Sequence, residues 1–364
     1  MKVLVDYQIF LMQRYGGISN YHSRIHEMVN GLDSGHQSTI IALGSENKYI
    51  RNQLQLLRPL NIRGKRILRS INQYALEQSI PRYDVFHPTY YDNYFLKAEK
   101  MPPFVITIHD VIPEKYFDDE RGLSLVRNKK NLIAKAARII AISETTKRQL
   151  LNFYDIDPSN IVVIPHGRPD DFKPAPEDEE KRWDKGQPYI LYVGLRAAGY
   201  KNFVFFLQSA APFLLKYNMK LKVAGPPPAE SEMKLIEELK VQDNVEFLAF
   251  PSLEELYSLY HEAFCFAFPA LEEGFGIPLL EAAAAGCPVV CSDIDIFHEI
   301  TGDSALYFDP FSGDSINSQL ERLVSDSSLR QELTRKGNGN LAKYSWTEAA
   351  KKTLNVYQQA AASA

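Results

Sequence analysis

Cysteine is scarce, with three residues, Cys265, Cys287 and Cys291, in a chain of 364. They are too few and too clustered for a disulfide framework, and no His or Cys accompanies them at zinc-ligand spacing, which points to a reducing compartment. Long apolar runs are missing too. Even the stretch 279–291 contains Glu281, Gly286 and Pro288, and nothing approaches the roughly 18 uninterrupted apolar residues of a spanning helix. The opening segment is broken by Asp6 and Gln8 and precedes no small-residue cleavage site, so it reads as a buried strand and not as a signal peptide. Charge of one sign is absent, since 41 Lys+Arg against 45 Asp+Glu leave a net −4. In the basic stretch Arg58 to Arg69 aromatics are not interleaved as in nucleic-acid readers, so no nucleic-acid partner is expected. No short repeat and no low-complexity tract beyond an Ala-rich tail is visible.

What is present fits a folded chain of two domains. Apolar residues make up 45% and charged residues 24%, and the length exceeds the roughly 250–300 residues at which one core splits. The near-neutral total divides at the Pro- and acid-rich stretch 172–180. Residues 1–178 carry 24 Lys+Arg against 20 Asp+Glu, the remainder 17 against 25. A basic half and an acidic half suggest divided labour.

Short β-branched and apolar runs alternate with helical periodicity through both halves. Strands are expected at 2–5, 38–43, 85–87, 104–109, 138–142 and 161–164, then at 189–193, 220–224, 245–248, 265–268, 289–291 and 305–308. This is the rhythm of parallel βαβ units, so the expected fold class is α/β, with two doubly wound, Rossmann-like domains joined near 170–187 and facing a central cleft. A final helix should follow Ser345, a natural N-cap with Glu348 at the capping-box position.

The densest chemical signal is Pro269-Ala-Leu-Glu-Glu-Gly-Phe-Gly-Ile-Pro-Leu-Leu-Glu281. A strand ends at Pro269, a loop carries Gly274, Phe275 and Gly276, and a helix opens near Pro278, bringing first-turn N–H groups and a positive dipole end to an oxygen-rich or anionic ligand. Glu273 in the loop and Glu281 on the helix can accept hydrogen bonds from different hydroxyls of one ligand. Taken singly, Glu273 is a solvated loop acid and Glu281 an ordinary first-turn acid.

Glu273-Gly-Phe-Gly-Ile-Pro-Leu-Leu-Glu281 resembles the Glu-x7-Glu motif of retaining, nucleotide-sugar-dependent glycosyltransferases of the GT-B fold, family 4 (glycosyl transferases group 1). The resemblance covers nearly the whole chain through Arg14-Tyr-Gly-Gly-Ile-Ser, Thr107-Ile-His-Asp-Val-Ile-Pro, Ile164-Pro-His-Gly, Tyr192-Val-Gly-Leu-Arg-Ala-Ala-Gly-Tyr-Lys-Asn, 293–299 and Tyr307-Phe-Asp-Pro. It implies an acceptor-binding domain over 1–170, a linker over 171–187, a nucleotide-sugar-binding domain over 188–344, and a helix over 345–364 returning to the first domain. Glu273 is then expected at the sugar with the Gly274, Phe275 and Gly276 loop, and Glu281 at the ribose. Arg196 and Lys201 are expected at the diphosphate, where a fixed cation pair stabilises the leaving group's charge; Arg196 stands two residues after Gly194, where many members place it directly after the glycine. His109 is expected under the donor sugar as a positioning group, because the family's front-face substitution lets the leaving phosphate take the acceptor's proton. Gly16 and Gly17 either approach the donor diphosphate or make a simple turn.

Arg14, Asp110 and Glu299 are the weaker expectations, Arg14 near the cleft, Asp110 as a strand-end cap or acceptor contact, and Glu299 behind the donor. His166 reads as a turn or hinge residue. No grouping has a metal-ligand pattern, so no cofactor and no metal are expected beyond the nucleotide sugar, with GDP-mannose favoured and a UDP-sugar as the alternative. The acceptor is a glycan or a lipid-linked species, as in bacterial surface-polysaccharide assembly by mannosyltransferases, and the compartment cytoplasmic. The basic stretch Arg58 to Arg69 reads first as a core-packing helix with a solvated cationic side. Its second reading is a peripheral contact with anionic membrane at the inner face, using Ile67, Leu68, Ile71, Tyr74 and Ala75 as one apolar face. Rival functions on the same fold are a sugar-nucleotide epimerase, a phosphorylase, or a silent sugar-nucleotide-binding scaffold.

Overall fold

The computed structural model describes residues 1–32, 35–50, 62–98, 100–169, 172 and 187–363. Its strands are β1 (Lys2–Val5), β2 (Gln37–Ile40), β3 (Val85–His87), β4 (Val105–Ile108), β5 (Arg138–Ala141) and β6 (Ile161–Val163), then β7 (Tyr189–Val193), β8 (Lys220–Gly225), β9 (Val245–Ala249), β10 (Cys265–Phe268), β11 (Val289–Ser292) and β12 (Ala305–Phe308). Every pairing among them is parallel. Each expected strand is present; β1, β3, β7, β10 and β12 keep the expected ends and the others shift at one or both. β2 stops three residues early because the Asn72 side chain takes both the N–H and the C=O of Leu43, at 2.6 and 2.9 Å, and turns the chain out of the sheet.

Two compact units result, one of residues 1–167 with 345–364 and one of residues 168–344. The first holds sheets ordered β2-β1-β3 and β4-β5-β6, linked by a parallel bridge between Phe86 and Phe104. The second holds one sheet ordered β12-β11-β10-β7-β8-β9. Strand order reverses there between β7 and β10, so the loops following these two neighbours diverge and leave a crevice at their carboxyl ends. Most of the expected linker 171–187 lies outside the described residues.

The C-terminal helix Trp346–Ala362 belongs to the first unit and starts at Ser345, whose side chain accepts from the Glu348 N–H. It buries Trp346, Ala350, Leu354, Tyr357 and Ala360 against the first unit's core. Gly167 explains the Pro-His-Gly turn. A Cβ there would lie 2.3 Å from Trp346 Cγ and 2.4 Å from the Trp346 backbone nitrogen, so only glycine lets the two segments meet.

The basic helix Ile62–Ser79 differs from its expectation. It buries Leu68, Asn72 and Leu76, spaced by four residues, whereas Ile67, Ile71 and Tyr74 point outward. The apolar residues therefore divide between two faces and do not form a single one. The polar Asn72 takes the central buried position because the Leu43 backbone and the Leu68 carbonyl satisfy its amide. Arg66 is exposed, Arg69 pairs with Asp92, and Arg58 with the side chains of Arg63 and Lys65 lies outside the described residues. No helix among the described residues is long and apolar enough to cross a membrane.

Candidate functional site

In the second unit the crevice is built from the loops after β7 and β10. β7 ends at Val193 and is followed by Gly194, whose φ of 133° suits glycine. The loop then makes a 3₁₀ turn over Gly199–Lys201, and Asn202, left-handed at φ 55°, begins the helix Phe203–Lys216 with its side-chain amide on the Pro310 carbonyl. The loop after β10 comes alongside, with the Leu271 N–H donating to the Tyr200 carbonyl at 2.7 Å. This contact brings the Lys201 ammonium onto the Glu273 carboxylate as an ion pair, with 17% and 15% of the two side chains exposed. Cation and carboxylate thus meet at the partly open switch point of the sheet, although 72 residues separate them.

The helix Ile277–Ala284 follows, with Pro278 in its first turn and Gly276 as a left-handed N-cap at φ 94°. Phe275 is buried against the Tyr344 ring, which anchors the loop. Glu281 is partly buried and accepts from the Tyr260 hydroxyl at 3.0 Å. Burial pushes its carboxyl up to about 7, and the Tyr260 bond offsets only part of that. Glu299 is exposed on the helix Asp295–Thr301.

Arg196 departs most from a free cation. It is buried, with Nε donating to Glu232 Oε1 at 2.7 Å and Nη2 to Glu232 Oε2 and the Pro226 and Pro227 carbonyls. Nothing in the local sequence signals this pairing, which spans 36 residues.

In the first unit, His109 directly follows β4 and is buried, its backbone N–H donating to the Tyr91 hydroxyl at 3.2 Å. Around it stand three further buried imidazoles, of which sequence reasoning missed His22 and His87 and read His166 only as a turn residue. Ring centroids of His22 and His166 lie 5.6 and 6.3 Å from that of His109, with Tyr21 edge-on to all three. His87 is bonded to Tyr357 and Thr107 at 2.7 and 2.9 Å. Burial holds all four well below the ordinary imidazole range, and mutual repulsion adds to this at His22 and His109. A neutral imidazole offers one donor and one acceptor, which suits positioning a hydroxylated ligand. Only spatial convergence reveals the group, since its members come from four separate elements.

Asp110 caps the turn after β4, its carboxylate accepting from the Ile112 N–H at 3.0 Å. Lys129 is fully buried beneath this turn, donating to the Asp110 carbonyl and to Glu114 at 2.9 Å each. Arg14 is exposed in the loop before Gly16. The helix after that loop begins at Gly17, and the Gln13 amide oxygen accepts from the Ser19 N–H at 3.1 Å. A Cβ on Gly16 would fall 2.3 Å from that oxygen, so the glycine here admits Gln13. Among the described residues no group of three or more His, Cys, Asp or Glu side chains could hold a metal ion.

Comparison with known proteins accounts for both units. Residues 15–172 match the family described as glycosyltransferase family 4, and residues 175–339 the family described as glycosyl transferases group 1. The chain belongs to the family 4 glycosyltransferases. The O-antigen chain mannosyltransferase B of Escherichia coli is 26% identical over 282 residues, covering 74% of each chain. The O-antigen chain mannosyltransferase RfbU of Salmonella typhimurium is 30% identical over 220 residues, 60% of each. Among solved structures, sucrose-phosphate synthase of Thermosynechococcus elongatus superposes with a TM-score of 0.79 at 18% identity, over 100% of this chain and 99% of that one. WaaG, a glycosyltransferase involved in lipopolysaccharide biosynthesis, gives 0.71 at 20% identity over 97% and 98%. These structures share the GT-B fold with this glycosyltransferase.

Proposed function

We propose that this glycosyltransferase moves a mannosyl unit from a nucleoside diphosphate sugar, GDP-mannose in preference to a UDP-sugar, to a hydroxyl of a glycan or lipid-linked acceptor, with retention of configuration and without a metal. The observation that carries this reading is the Lys201–Glu273 pair at the crevice between β7 and β10. A cation there suits the leaving diphosphate, and a carboxylate beside it suits the sugar hydroxyls. Glu281 receives the ribose hydroxyls, Gly274, Phe275 and Gly276 shape the loop around the sugar, and Arg196 offers its remaining N–H groups to the diphosphate. His109, together with Gly16 and Gly17 of the first unit, serves donor positioning; Arg14, Asp110 and Glu299 play secondary parts.

In the reaction the bond from the anomeric carbon to the β-phosphate oxygen breaks, and a bond from the acceptor oxygen forms on the same face. The acceptor's proton passes to the departing phosphate. Lys201 supports the charge that develops there, the part a divalent cation would otherwise play. The mannosyl preference draws on the O-antigen mannosyltransferases among the relatives. A cytoplasmic setting agrees with the three buried thiols, Cys265, Cys287 and Cys291. The outward Ile67, Ile71 and Tyr74 beside Arg66 keep a peripheral membrane contact as the second reading of this helix, after core packing through Leu68 and Leu76.

A thermal-shift screen against GDP-, UDP-, ADP- and dTDP-sugars identifies the donor, because a ligand that binds only the native state raises Tm. With that donor, Lys201→Ala and Glu273→Ala should each lower kcat by about 100- to 1,000-fold at unchanged Tm. Full activity in either variant sinks the site assignment, and binding without turnover in the parent protein favours the scaffold.

A further inference from the structure

Arg196 and Glu232 form a buried, two-pronged ion pair, with 3% and 10% of the side chains exposed. A guanidinium has five N–H donors. Nε is spent on Glu232, and Nη2 is shared between Glu232 and the carbonyls of Pro226 and Pro227. The face of the group lies near the rings of Phe247 and Phe203, at 5.0 and 5.6 Å. Nη1 is buried and has no partner among the described residues. Glu232 is itself fixed, because Oε2 also accepts the Ala229 N–H at 2.7 Å at the start of the helix Glu230–Glu238.

The uncommitted edge has a definite address. A Cβ added to Gly225 would sit 3.4 Å from Nη1 and 2.5 Å from the Gly194 carbonyl oxygen. Gly194 directly follows β7 and Gly225 is the last residue of the adjacent β8, both at positive φ. Nη1 therefore lies where two glycines keep side chains away from the carboxyl edge of β7 and β8.

We propose that Glu232 is a positioning residue for the donor's diphosphate: it locks the Arg196 guanidinium so that Nη1 alone presents its N–H groups to a phosphate oxygen. This inference rests on the donor-site reading above. Buried ion pairs cost desolvation and are poor sources of stability, whereas a guanidinium fixed in advance loses little freedom when an oxyanion arrives.

The test is a double-mutant cycle between Glu232→Gln and Arg196→Met, read as kcat, donor KM, Kd for the nucleoside diphosphate and its salt dependence, beside Tm. Glutamine retains one acceptor and the side-chain volume, which protects the fold; Arg196→Met/Glu232→Met removes both charges should Glu232→Gln alone fail to fold. Glu232→Gln is expected to lower kcat by about ten- to a hundredfold, to leave Kd no weaker, and to steepen its salt dependence, because Arg196 becomes an uncompensated cation. In the Arg196→Met background the same change should cost nothing more in kcat. An equal loss in both backgrounds, or a lower Tm with unchanged kcat, makes Glu232 a structural residue and overturns the proposal. A rise in both kcat and affinity overturns it too, since Glu232 then only competes with the ligand. Parental kcat in Arg196→Met alone refutes the diphosphate role of Arg196, which is a failure of the donor-site reading and is distinguishable from the others.

Discussion

The Glu281 carboxyl offers the sharpest quantitative test of the proposed donor site. Burial raises it from an ordinary 4.5 to about 7 in the unliganded protein. For the fold alone, a raised acid stabilises at pH below about 4.5, and that contribution is lost as pH rises through about 7. Donor binding runs the other way. Ribose hydroxyls donate to a carboxylate, so the ligand favours the ionised form and binding expels a proton. If the bound nucleotide restores the ordinary value, the coupling approaches about 3 kcal/mol, from roughly 1.4 kcal/mol per unit. Affinity should then rise about tenfold between pH 6 and pH 8 and level off above pH 7. Calorimetry with an intact nucleotide sugar measures this directly, because its doubly esterified diphosphate has no proton titrating near neutrality, and buffers of different ionisation enthalpy report the proton released. Glu281→Gln should bind more weakly and without the slope. A flat profile in the parent, or a slope surviving in Glu281→Gln, would falsify the ribose assignment.

Three further outcomes are expected. Gly167→Ala places a Cβ against the Trp346 backbone and ring, a clash no rotamer relieves, so it should cost at least about 1–3 kcal/mol in urea unfolding. Lys129→Met strands the buried Glu114 carboxylate and should cost about 3–5 kcal/mol; adding Glu114→Gln should recover most of the denaturation midpoint. The four buried imidazoles His22, His87, His109 and His166 stay neutral in the fold, so stability is full above the unfolded value near 6.5 and falls as pH drops below it. By pH 5 each should cost roughly 2 kcal/mol, and replacing His22 with an apolar residue of similar size should flatten the acid limb of a Tm-against-pH curve.

Much of the fold was legible because buried parallel strands write themselves as short apolar runs, and all twelve are where those runs stand. The ends were less so: β2 closes early through Asn72, a polar residue whose role depends on a backbone 29 positions away. The basic helix misled for a related reason. Ile67, Ile71 and Tyr74 have the right spacing for a core face, yet Leu68, Asn72 and Leu76 occupy it, and periodicity cannot tell one stripe from its neighbour when both carry apolar residues. At the site, the Glu273 to Glu281 motif was readable because a loop and the helix it feeds are contiguous in the chain.

The sequence by itself determined the α/β rhythm, the family and the candidate groups, since these depend on local pattern and residue type. Only the tertiary structure decided how those groups are used. It set Lys201 on Glu273 through the neighbouring placement of β7 and β10, locked Arg196 to Glu232, and gathered four imidazoles from separate elements. Ion pairing and desolvation act between groups brought together by strand order, and their strength depends on distance and burial, which a linear pattern does not contain.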